Sequence, residues 1–562
     1  MLARINLIRS ATTAVDLQTY IFEEDDAGHL VLNELLAAAR RGVRVRVLID
    51  QLSALQRVDT LASLSGAHAN FAIRIYNPVL NRARTSYPQY LLAAACCWHR
   101  LNQRMHTKLL LVDGAVGVTG GRNYADDYYD WAKDYNFRDR DILVAGPVAR
   151  DMALNFESFW NSPLSWPAEQ LTDVGRQILH TGVPALAHPP MEDAARIEAM
   201  SRDAGDDALV RARLTDKAMA VGAVDYLADL PQKHSESHPA AAKASQGLRE
   251  LVDGARDEVL LQTPYLVLSK SAQQMFRSMH RRDAPPRVIV STSSLASTDS
   301  FITYALSYKY KRRYLRDFGF EVYEYKPFPT DEPIDIPALA LQANPAHAMP
   351  MASATPAGAA VATADAPHRR RNGSGSVMDR LRPQTEYGAY GIRRRNVGPV
   401  PLQRAGVRIG LHAKSIVVDE RIAVIGTHNF DPRADRYNTE SAVVIDNADF
   451  ARLLGDSIRR DIAPANSWTI APRDKMPVLS GVEYSLAKLS ERLPIFDLWP
   501  VRYATSYEFQ PGPQCPAPLP PGDPAFRDCY RAVGDFPEVN LGFKTVLTRI
   551  FTAFGAGFAP VL

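Results

Sequence analysis

Two stretches of the chain repeat one pattern, and this duplication constrains the fold more than any other feature. In the first stretch, Ala11 is followed six residues later by LQTY at 17–20, and in the second, Ala255 is followed at the same distance by LQTPY at 261–265. A repeat of this kind predicts two copies of one structural unit. The chain has 562 residues, which is enough for two lobes with separate cores.

Both copies alternate strands with helices. The first has a strand around 15–22, a helix near 30–41 and a glycine-led apolar strand at 42–50. The second continues with a helix near 272–281 and strands at 287–291 and 320–325. This alternation predicts an α/β fold of two pseudo-symmetric lobes, each a mixed, largely parallel β-sheet flanked by helices.

A pattern of histidine, lysine and aspartate recurs at matched places in the two copies. Its members are His106, Lys108 and Asp113 in the first copy and His412, Lys414 and Asp419 in the second. An apolar run between lysine and aspartate predicts a strand, so each histidine should project from the same face as its lysine. A phosphodiester reaction needs such a pair, because imidazole can attack phosphorus or protonate a leaving group while ammonium holds the non-bridging oxygens.

An asparagine follows each motif at an equal distance. Asn123 and Asn429 each lie 17 residues after the histidine of their copy. A single histidine near a lysine on a strand is usually structural, and one such motif arises by chance in a chain of this length with a frequency on the order of a few per cent. Two motifs at matched places in a repeat favour a catalytic role instead.

The paired motifs resemble those of the phospholipase D superfamily. The resemblance covers most of 1–165 and 245–330, together with 405–450. Flanking segments are similar to the bacterial cardiolipin synthase branch, namely 101–106, 120–124, 137–139 with Gly146-Pro147, and 438–440. The resemblance implies an active site between the lobes, where one histidine attacks phosphorus to give a phosphohistidine and the other protonates the departing alcohol.

The resemblance also implies individual roles. His106 is expected to be the nucleophile, and His412 the general acid that later serves as base. The groups expected to bind substrate phosphate oxygens around the transition state are Lys108, Lys414, Asn123 and Asn429. These four groups take the place of a metal, so no metal and no cofactor is expected.

Two acidic residues outside the motifs are candidates to orient the histidines. Asp139 is expected to accept a hydrogen bond from His106, and Glu440 from His412. The motif aspartates Asp113 and Asp419 stand at the ends of their strands and are expected to bind local backbone or lysine groups. The second copy departs from the family pattern at Thr427, where serine is common, although a hydroxyl is retained.

The repeat and the local composition divide the chain into four parts. We expect a first lobe at 1–170, a connector at 171–242, a second lobe at 243–463 and a tail at 464–562 that is a candidate for membrane association. Tyr20 and His106 are 86 residues apart, whereas Tyr265 and His412 are 147 apart. The excess matches an Ala/Pro/Gly/Ser-rich stretch at about 337–399, which is predicted to be a disordered insertion because it cannot bury enough apolar surface to offset its ordering entropy.

Membrane contact is expected to be peripheral. No window reaches the ~18 apolar residues of a spanning helix, and no secretory signal is recognised at the N-terminus. An apolar helical face is predicted in the tail from Phe543, Val546, Leu547, Ile550, Phe551, Phe554 and Phe558. This face suits either a bilayer interface or the protein's own core, and arginine triplets at 369–371 and 393–395 suit either anionic lipid or a solvated linker. A bacterial membrane is the expected location, with the cytoplasmic and periplasmic faces both open.

The four cysteines follow no zinc-binding spacing. Cys96 and Cys97 are adjacent, and Cys515 and Cys529 lie far from them. The distant two fit either a disulfide formed in an oxidising compartment or a pair of free thiols.

Several functions fit these observations to different degrees. The resemblance implies transfer of a phosphatidyl group between phospholipids at an anionic membrane surface, with phosphatidylglycerol as substrate and phosphatidylethanolamine as a further candidate. A hydrolytic phospholipase D differs only in resolving the intermediate with water. A nuclease of the same superfamily is a more distant alternative, since a net charge of +3 creates no overall field for nucleic acid, and no nucleic-acid partner is expected. A non-catalytic membrane-binding protein would have no need of two intact motifs.

Overall fold

The computed structural model describes residues 1–53, 55, 57–234, 241–330, 399–473, 503–542 and 546. The predicted insertion as far as residue 398, both arginine triplets and, apart from Val546, the predicted apolar face of the tail lie outside these residues. No helix among the described residues is long and apolar enough to cross a bilayer.

The N-terminal part of the chain builds a seven-stranded sheet. Its strands and two short neighbours are β1 (Ala14–Thr19), β2 (Arg44–Asp50), β3 (Phe71–Tyr76), β4 (Arg104–Met105), β5 (Leu109–Val112), β6 (Val116–Gly120), β7 (Tyr135–Arg138), β8 (Asp141–Ala145) and β9 (Ser165–Pro167). The sheet order is β8-β6-β5-β1-β2-β3-β9. Strands β1, β2 and β3 run parallel, and the remaining neighbours are antiparallel.

The second sheet repeats this arrangement and extends it. The described strands are β10 (Val224–Ala228), β11 (Glu258–Gln262), β12 (Arg287–Ser293), β13 (Glu321–Tyr325), β14 (Arg408–Leu411), β15 (Ser415–Val418), β16 (Ile422–Gly426), β17 (Asn438–Thr439), β18 (Ser441–Asp446), β19 (Ser467–Pro472), β20 (Ala504–Phe509) and β21 (Tyr530–Gly534). The sheet order is β10-β18-β16-β15-β11-β12-β13-β19-β20-β21. From β18 to β19, order and direction match the first sheet strand for strand. The predicted duplicated α/β fold is therefore confirmed.

Helices cover the sheets. Those of the first 170 residues are Leu2–Ser10, Asp26–Arg40, Val58–Ser65, Tyr87–Cys96, Trp98–Asn102 and Val148–Trp160. Those that follow are Thr172–Thr181, Ala194–Ala204, Asp207–Arg213, Lys243–Asp253, Lys270–His280, Phe301–Arg312, Pro432–Arg436, Ala448–Asp461 and Phe526–Cys529. The helix Asp26–Arg40 begins where the Asp25 carboxylate accepts the Gly28 N–H at 3.0 Å, and it buries Leu32, Leu35 and Leu36 on one face.

The two lobes share a continuous apolar core. Side chains from the first lobe, including Leu109, Phe156 and Phe159, form one buried cluster with Val417 and Ile458 of the second. Separating the lobes would return this cluster to water, which opposes separation. The histidine motifs lie beside this junction.

The second sheet extends beyond the predicted limits of the second lobe. Strand β10 comes from the expected connector and pairs with β18. Strands β19, β20 and β21 come from the expected tail, and β19 is the counterpart of β9. Part of the expected tail therefore has a counterpart in the first sheet. In the same region, Cys515 and Cys529 form a disulfide, with Cα atoms 5.4 Å apart.

Candidate active site

Two short ladders join the lobes at the site. Strand β4 of the first lobe runs parallel to β17 of the second, and β7 of the first lobe runs parallel to β14 of the second. His106 directly follows β4, and its N–H donates to the Thr439 carbonyl at 3.0 Å. His412 directly follows β14, and its N–H donates to the Arg138 carbonyl at 2.8 Å. Each histidine is thereby placed next to the chain of the opposite lobe.

Each histidine bonds a carboxylate from the opposite lobe. His106 Nδ1 lies 2.7 Å from Glu440 Oε2, and His412 Nδ1 lies 2.5 Å from Asp139 Oδ2. Both acidic residues predicted to orient the histidines are present, but the predicted pairing of Asp139 with His106 and Glu440 with His412 is wrong. The cause is the pair of inter-lobe ladders, since Glu440 follows β17 and Asp139 follows β7.

Burial and charge act together on these carboxyl groups. Glu440 and Asp139 are buried, as are the two histidines, at 0 to 2 % exposure. Burial opposes ionisation, but electrostatic attraction to His106 and the hydrogen bond with it hold the pKa of Glu440 below its usual value. Burial likewise opposes ionisation of Asp139, yet charge on His412 and Lys414 lowers its pKa to about 2. Both groups are carboxylates at neutral pH.

The lysines stand beside their histidines, in the three-residue links from β4 to β5 and from β14 to β15. Lys108 Nζ donates to the His106 carbonyl at 3.0 Å, and Lys414 Nζ donates to the His412 carbonyl at 2.7 Å. Lys414 Nζ also lies 2.9 Å from Nε2 of His412. Both lysines are 2 % exposed, so their charges act in a site largely shielded from water.

The two asparagines are buried, and each bonds the chain at or next to the repeated LQT segment of its own lobe. Asn123 is fully buried; its Oδ1 accepts the Ile21 N–H at 3.0 Å, while its Nδ2 has no hydrogen-bond partner among the described residues. A buried donor of this kind calls for an explanation, and a ligand oxygen supplies one. Asn429 is also buried, and its main-chain carbonyl accepts the Thr263 hydroxyl at 2.7 Å.

The motif aspartates lie elsewhere. Asp113 accepts the backbone N–H groups of residues 12–14 at 2.8 to 2.9 Å, and Asp419 those of residues 256–258 at 2.8 to 3.0 Å. Burial opposes ionisation of Asp113, but these hydrogen bonds lower its pKa. The structure places both at the far end of the motif strand from the lysine, where they fix the chain entering β1 and β11.

Residues that sequence reasoning did not select complete the surroundings of the histidines. The Tyr20 ring meets His106 edge-on, with centroids 5.4 Å apart, and Tyr128 meets His412 in the same way at 5.3 Å. The Thr427 hydroxyl donates to Glu440 Oε2 at 2.5 Å, which explains why a hydroxyl is retained at that position. The position of Tyr20 in the repeated LQTY run was a signal that could have identified it.

Two arginines anchor the loop that carries Asp139. Arg138 and Arg140, on either side of it, both reach Asp461 of the second lobe at 3.3 Å. Arg140 also donates to Ser457 at 2.8 Å. The side chains next to Asp139 are thus tied to the lobe that contains His412.

A metal-binding arrangement was not expected from the sequence. Among the residues that the structure describes, no group of three or more His, Cys, Asp or Glu side chains is arranged to hold a metal ion. The positive charge next to the histidines comes from Lys108 and Lys414.

Several known proteins are similar to this chain. Residues 4–160 and 389–462 match the family model described as cardiolipin synthase, PLD-like domain. The chain is 27% identical over 454 residues to cardiolipin synthase C of Escherichia coli strain K12, covering 80% of each protein. It is 30% identical over 156 residues to a cardiolipin synthase of Staphylococcus aureus strain Mu50, covering 28% of this chain and 29% of that protein. A solved structure of phosphatidylserine synthase from Haemophilus influenzae Rd KW20 aligns with 82% of each chain at 15% identity and a TM-score of 0.46.

Duplicated sheets that meet at two His-x-Lys motifs, together with the family model and the two cardiolipin synthases, indicate a class of enzyme. The chain resembles the phospholipase D superfamily. Within that superfamily it is similar to the cardiolipin synthase-like branch, and it is an enzyme of the phosphodiesterase and phosphatidyltransferase type.

Proposed function

We propose that this protein transfers a phosphatidyl group from one phospholipid to a hydroxyl of another, as a cardiolipin synthase does, through a phosphohistidine intermediate. The observation that carries the proposal is the pair of buried histidines, each bonded to a carboxylate of the opposite lobe and each beside a lysine ammonium. The names of the relatives from Escherichia coli and Staphylococcus aureus support the same reaction.

The first step forms the intermediate. Because Nδ1 of His106 is bonded to Glu440, Nε2 is the nitrogen that attacks phosphorus. The bond from phosphorus to the headgroup alcohol breaks, and His412, as an imidazolium balanced by Asp139, gives the departing oxygen a proton. The lysines stabilise the charge that develops on the non-bridging oxygens.

The second step reverses these roles. His412, now neutral, removes the proton from a hydroxyl of the acceptor lipid, and that oxygen attacks the phosphohistidine. The phosphorus–nitrogen bond breaks, and His106 regains its original form. With phosphatidylglycerol as donor and acceptor, the products are cardiolipin and glycerol; with phosphatidylethanolamine as donor, ethanolamine replaces glycerol.

The substrates place the enzyme at a bacterial membrane, which it meets peripherally. Both reaction partners are lipids, so the site between the lobes must be reached from an anionic bilayer surface. The segments that sequence patterns connect with that surface are the arginine triplets of the insertion and the apolar face of the tail, which apart from Val546 lie outside the described residues.

Lipid turnover by the purified full-length protein tests the proposal. Vesicles of phosphatidylglycerol, with or without phosphatidylethanolamine, would be incubated with wild type, His106→Ala and His412→Ala, and lipids and released alcohols identified by mass spectrometry. We expect cardiolipin together with glycerol or ethanolamine from the wild type and neither from the variants. Phosphatidic acid as the sole lipid product would replace the proposal with a hydrolytic phospholipase D, and cleavage of DNA without lipid turnover would replace it with a nuclease.

A further inference from the structure

A buried ion pair in the segment between the lobes contacts the chain that carries Glu440. Asp229 and Lys233 follow β10, and the Lys233 ammonium donates to Asp229 Oδ2 at 2.7 Å. The side chains are 0 % and 2 % exposed. A buried pair of this kind is weak evidence for stability, because desolvation offsets much of the attraction between the charges.

Asp229 forms hydrogen bonds with both the N–H and the carbonyl of Glu440. Its Oδ2 accepts the Glu440 N–H at 3.0 Å, and its own N–H donates to the Glu440 carbonyl at 2.9 Å. Its other oxygen, Oδ1, accepts the Ala244 N–H at 2.9 Å. Its carbonyl accepts a hydrogen bond from Asn155 of the first lobe at 2.9 Å. Asp229 therefore links Glu440 to both lobes, through its carboxylate to Ala244 and through its main-chain carbonyl to Asn155.

Lys233 holds the residues just before Glu440. Its ammonium donates to the carbonyl of Asn438 at 2.7 Å and to that of Ala434 at 2.6 Å. The opposite edge of β17 is bonded to the first lobe, since the Thr439 carbonyl accepts the His106 N–H. Strand β17, which precedes Glu440, is thus held between the Asp229–Lys233 ion pair on one side and β4, which precedes His106, on the other.

We propose that Asp229 and Lys233 are positioning residues for the reaction, acting through Glu440 on His106. Neither side chain bonds a histidine in the structure, so neither is a catalytic residue. The pair sets the backbone from which the Glu440 carboxylate reaches Nδ1 of His106. This inference rests on the proposed role of the His106 and Glu440 pair in forming the phosphohistidine.

The variants are Asp229→Asn and Lys233→Met, with Lys233→Arg as the conservative change. Arg46→Met is the matched control, because Arg46 and Asp16 form a similar ion pair at 2.7 Å in the first sheet with no bond to either histidine. Bis(p-nitrophenyl) phosphate is the probe. Its leaving group needs no proton, so the first release of nitrophenolate reports attack by His106 alone. The probe also works if the natural substrate is not a phospholipid.

For Asp229→Asn and Lys233→Met, we expect the first release, per folded molecule, to slow by roughly 10- to 100-fold, the range for groups that orient a reactive imidazole. Lys233→Arg should recover most of the rate, and Asp229→Asn combined with Glu440→Gln should be no slower than Glu440→Gln alone. Arg46→Met should lower the melting temperature without changing the rate. The inference is overturned if Asp229→Asn and Lys233→Met lower only the melting temperature, or if Asp229→Asn and Glu440→Gln act additively. Lack of lipid turnover with intact release from the probe would count against the proposed function alone.

Discussion

Replacing the two orienting carboxylates one at a time tests the exchanged pairing directly. Glu440→Gln should impair His106, and Asp139→Asn should impair His412, because these are the pairs that the inter-lobe ladders create. The amide keeps nearly the same volume in each case, but it removes the counter-charge for the positive charge that develops on His106 as Nε2 bonds phosphorus, or for that of the His412 imidazolium. The two variants should therefore fail at different steps of one reaction.

The expected magnitude follows from the burial of the pairs. Both are at most 2 % exposed, with contacts of 2.7 and 2.5 Å, so solvent cannot replace the missing charge. Removing one partner of such a buried pair costs about 3–5 kcal/mol. At about 1.36 kcal/mol per factor of ten, the affected step should slow by roughly 10²- to 10⁴-fold.

Rapid mixing with bis(p-nitrophenyl) phosphate separates the steps. Glu440→Gln should slow the initial release of nitrophenolate, whereas Asp139→Asn should retain most of that release and slow the later turnover, which needs His412 as a base. Asp16→Asn serves as the control, since Asp16 bonds Arg46 in the first sheet.

Peptide mapping of the trapped adduct fixes which histidine is modified. If the adduct is on His106 but Asp139→Asn abolishes the initial release while Glu440→Gln spares it, the exchanged pairing does not operate in the reaction. An adduct on His412 would invert the expected pattern and exchange the roles of the histidines. Absence of an adduct on either histidine during measured turnover would rule out the covalent route.

Four further predictions follow from other parts of the chain. Turnover should survive EDTA, because Lys108 and Lys414 supply the positive charge at the site; activity lost to EDTA and restored by a divalent ion would contradict this. Deleting 340–395 should leave activity on detergent-solubilised lipid largely intact, because that stretch contains no motif residue, and an inactive but folded variant would show that it shapes the site. Replacing the cysteines at 515 and 529 by serine should lower the free energy of unfolding by about 3 kcal/mol, as expected for a loop with a separation of 14 residues, and equal melting of the oxidised and reduced wild type would argue against this. Since the pKa of Asp139 is lowered to about 2, its carboxylate stabilises the fold fully above the ordinary value of 3.8 and loses this effect as the pH falls towards 2; the destabilisation caused by Asp139→Asn, measured with urea, should be larger at pH 5 than at pH 3.

The local parts of the site could be predicted from sequence because they depend on neighbours in the chain. His106 and Lys108 are two residues apart in the short link between β4 and β5, so their adjacency follows from their spacing. The expectation that Asp113 binds local backbone also follows, since a residue at the end of its strand is close to the start of β1.

The partner of each histidine could not be predicted in this way. It depends on pairing between β4 and β17, which are more than 300 residues apart. Each of these strands has only two residues, which is too short to show a hydrophobic pattern that would identify it as a strand. Strand β19 escaped prediction for a related reason, since its partner β13 lies on the far side of the insertion. Contacts this distant are decided by packing of the whole molecule and not by local propensity.

The exchange of carboxylates between lobes means that neither lobe holds a working half of the enzyme. The first lobe contains His106 and Asp139, and the second contains their partners, Glu440 and His412. Each histidine therefore gains its carboxylate partner only when the two lobes are docked. The equilibrium between docked and separated lobes also sets the fraction of molecules that can catalyse the reaction. Two inactive molecules, one damaged at His106 and the other at His412, would still each offer an intact lobe. Activity in their mixture would measure how often the intact first lobe of one chain docks onto the intact second lobe of the other.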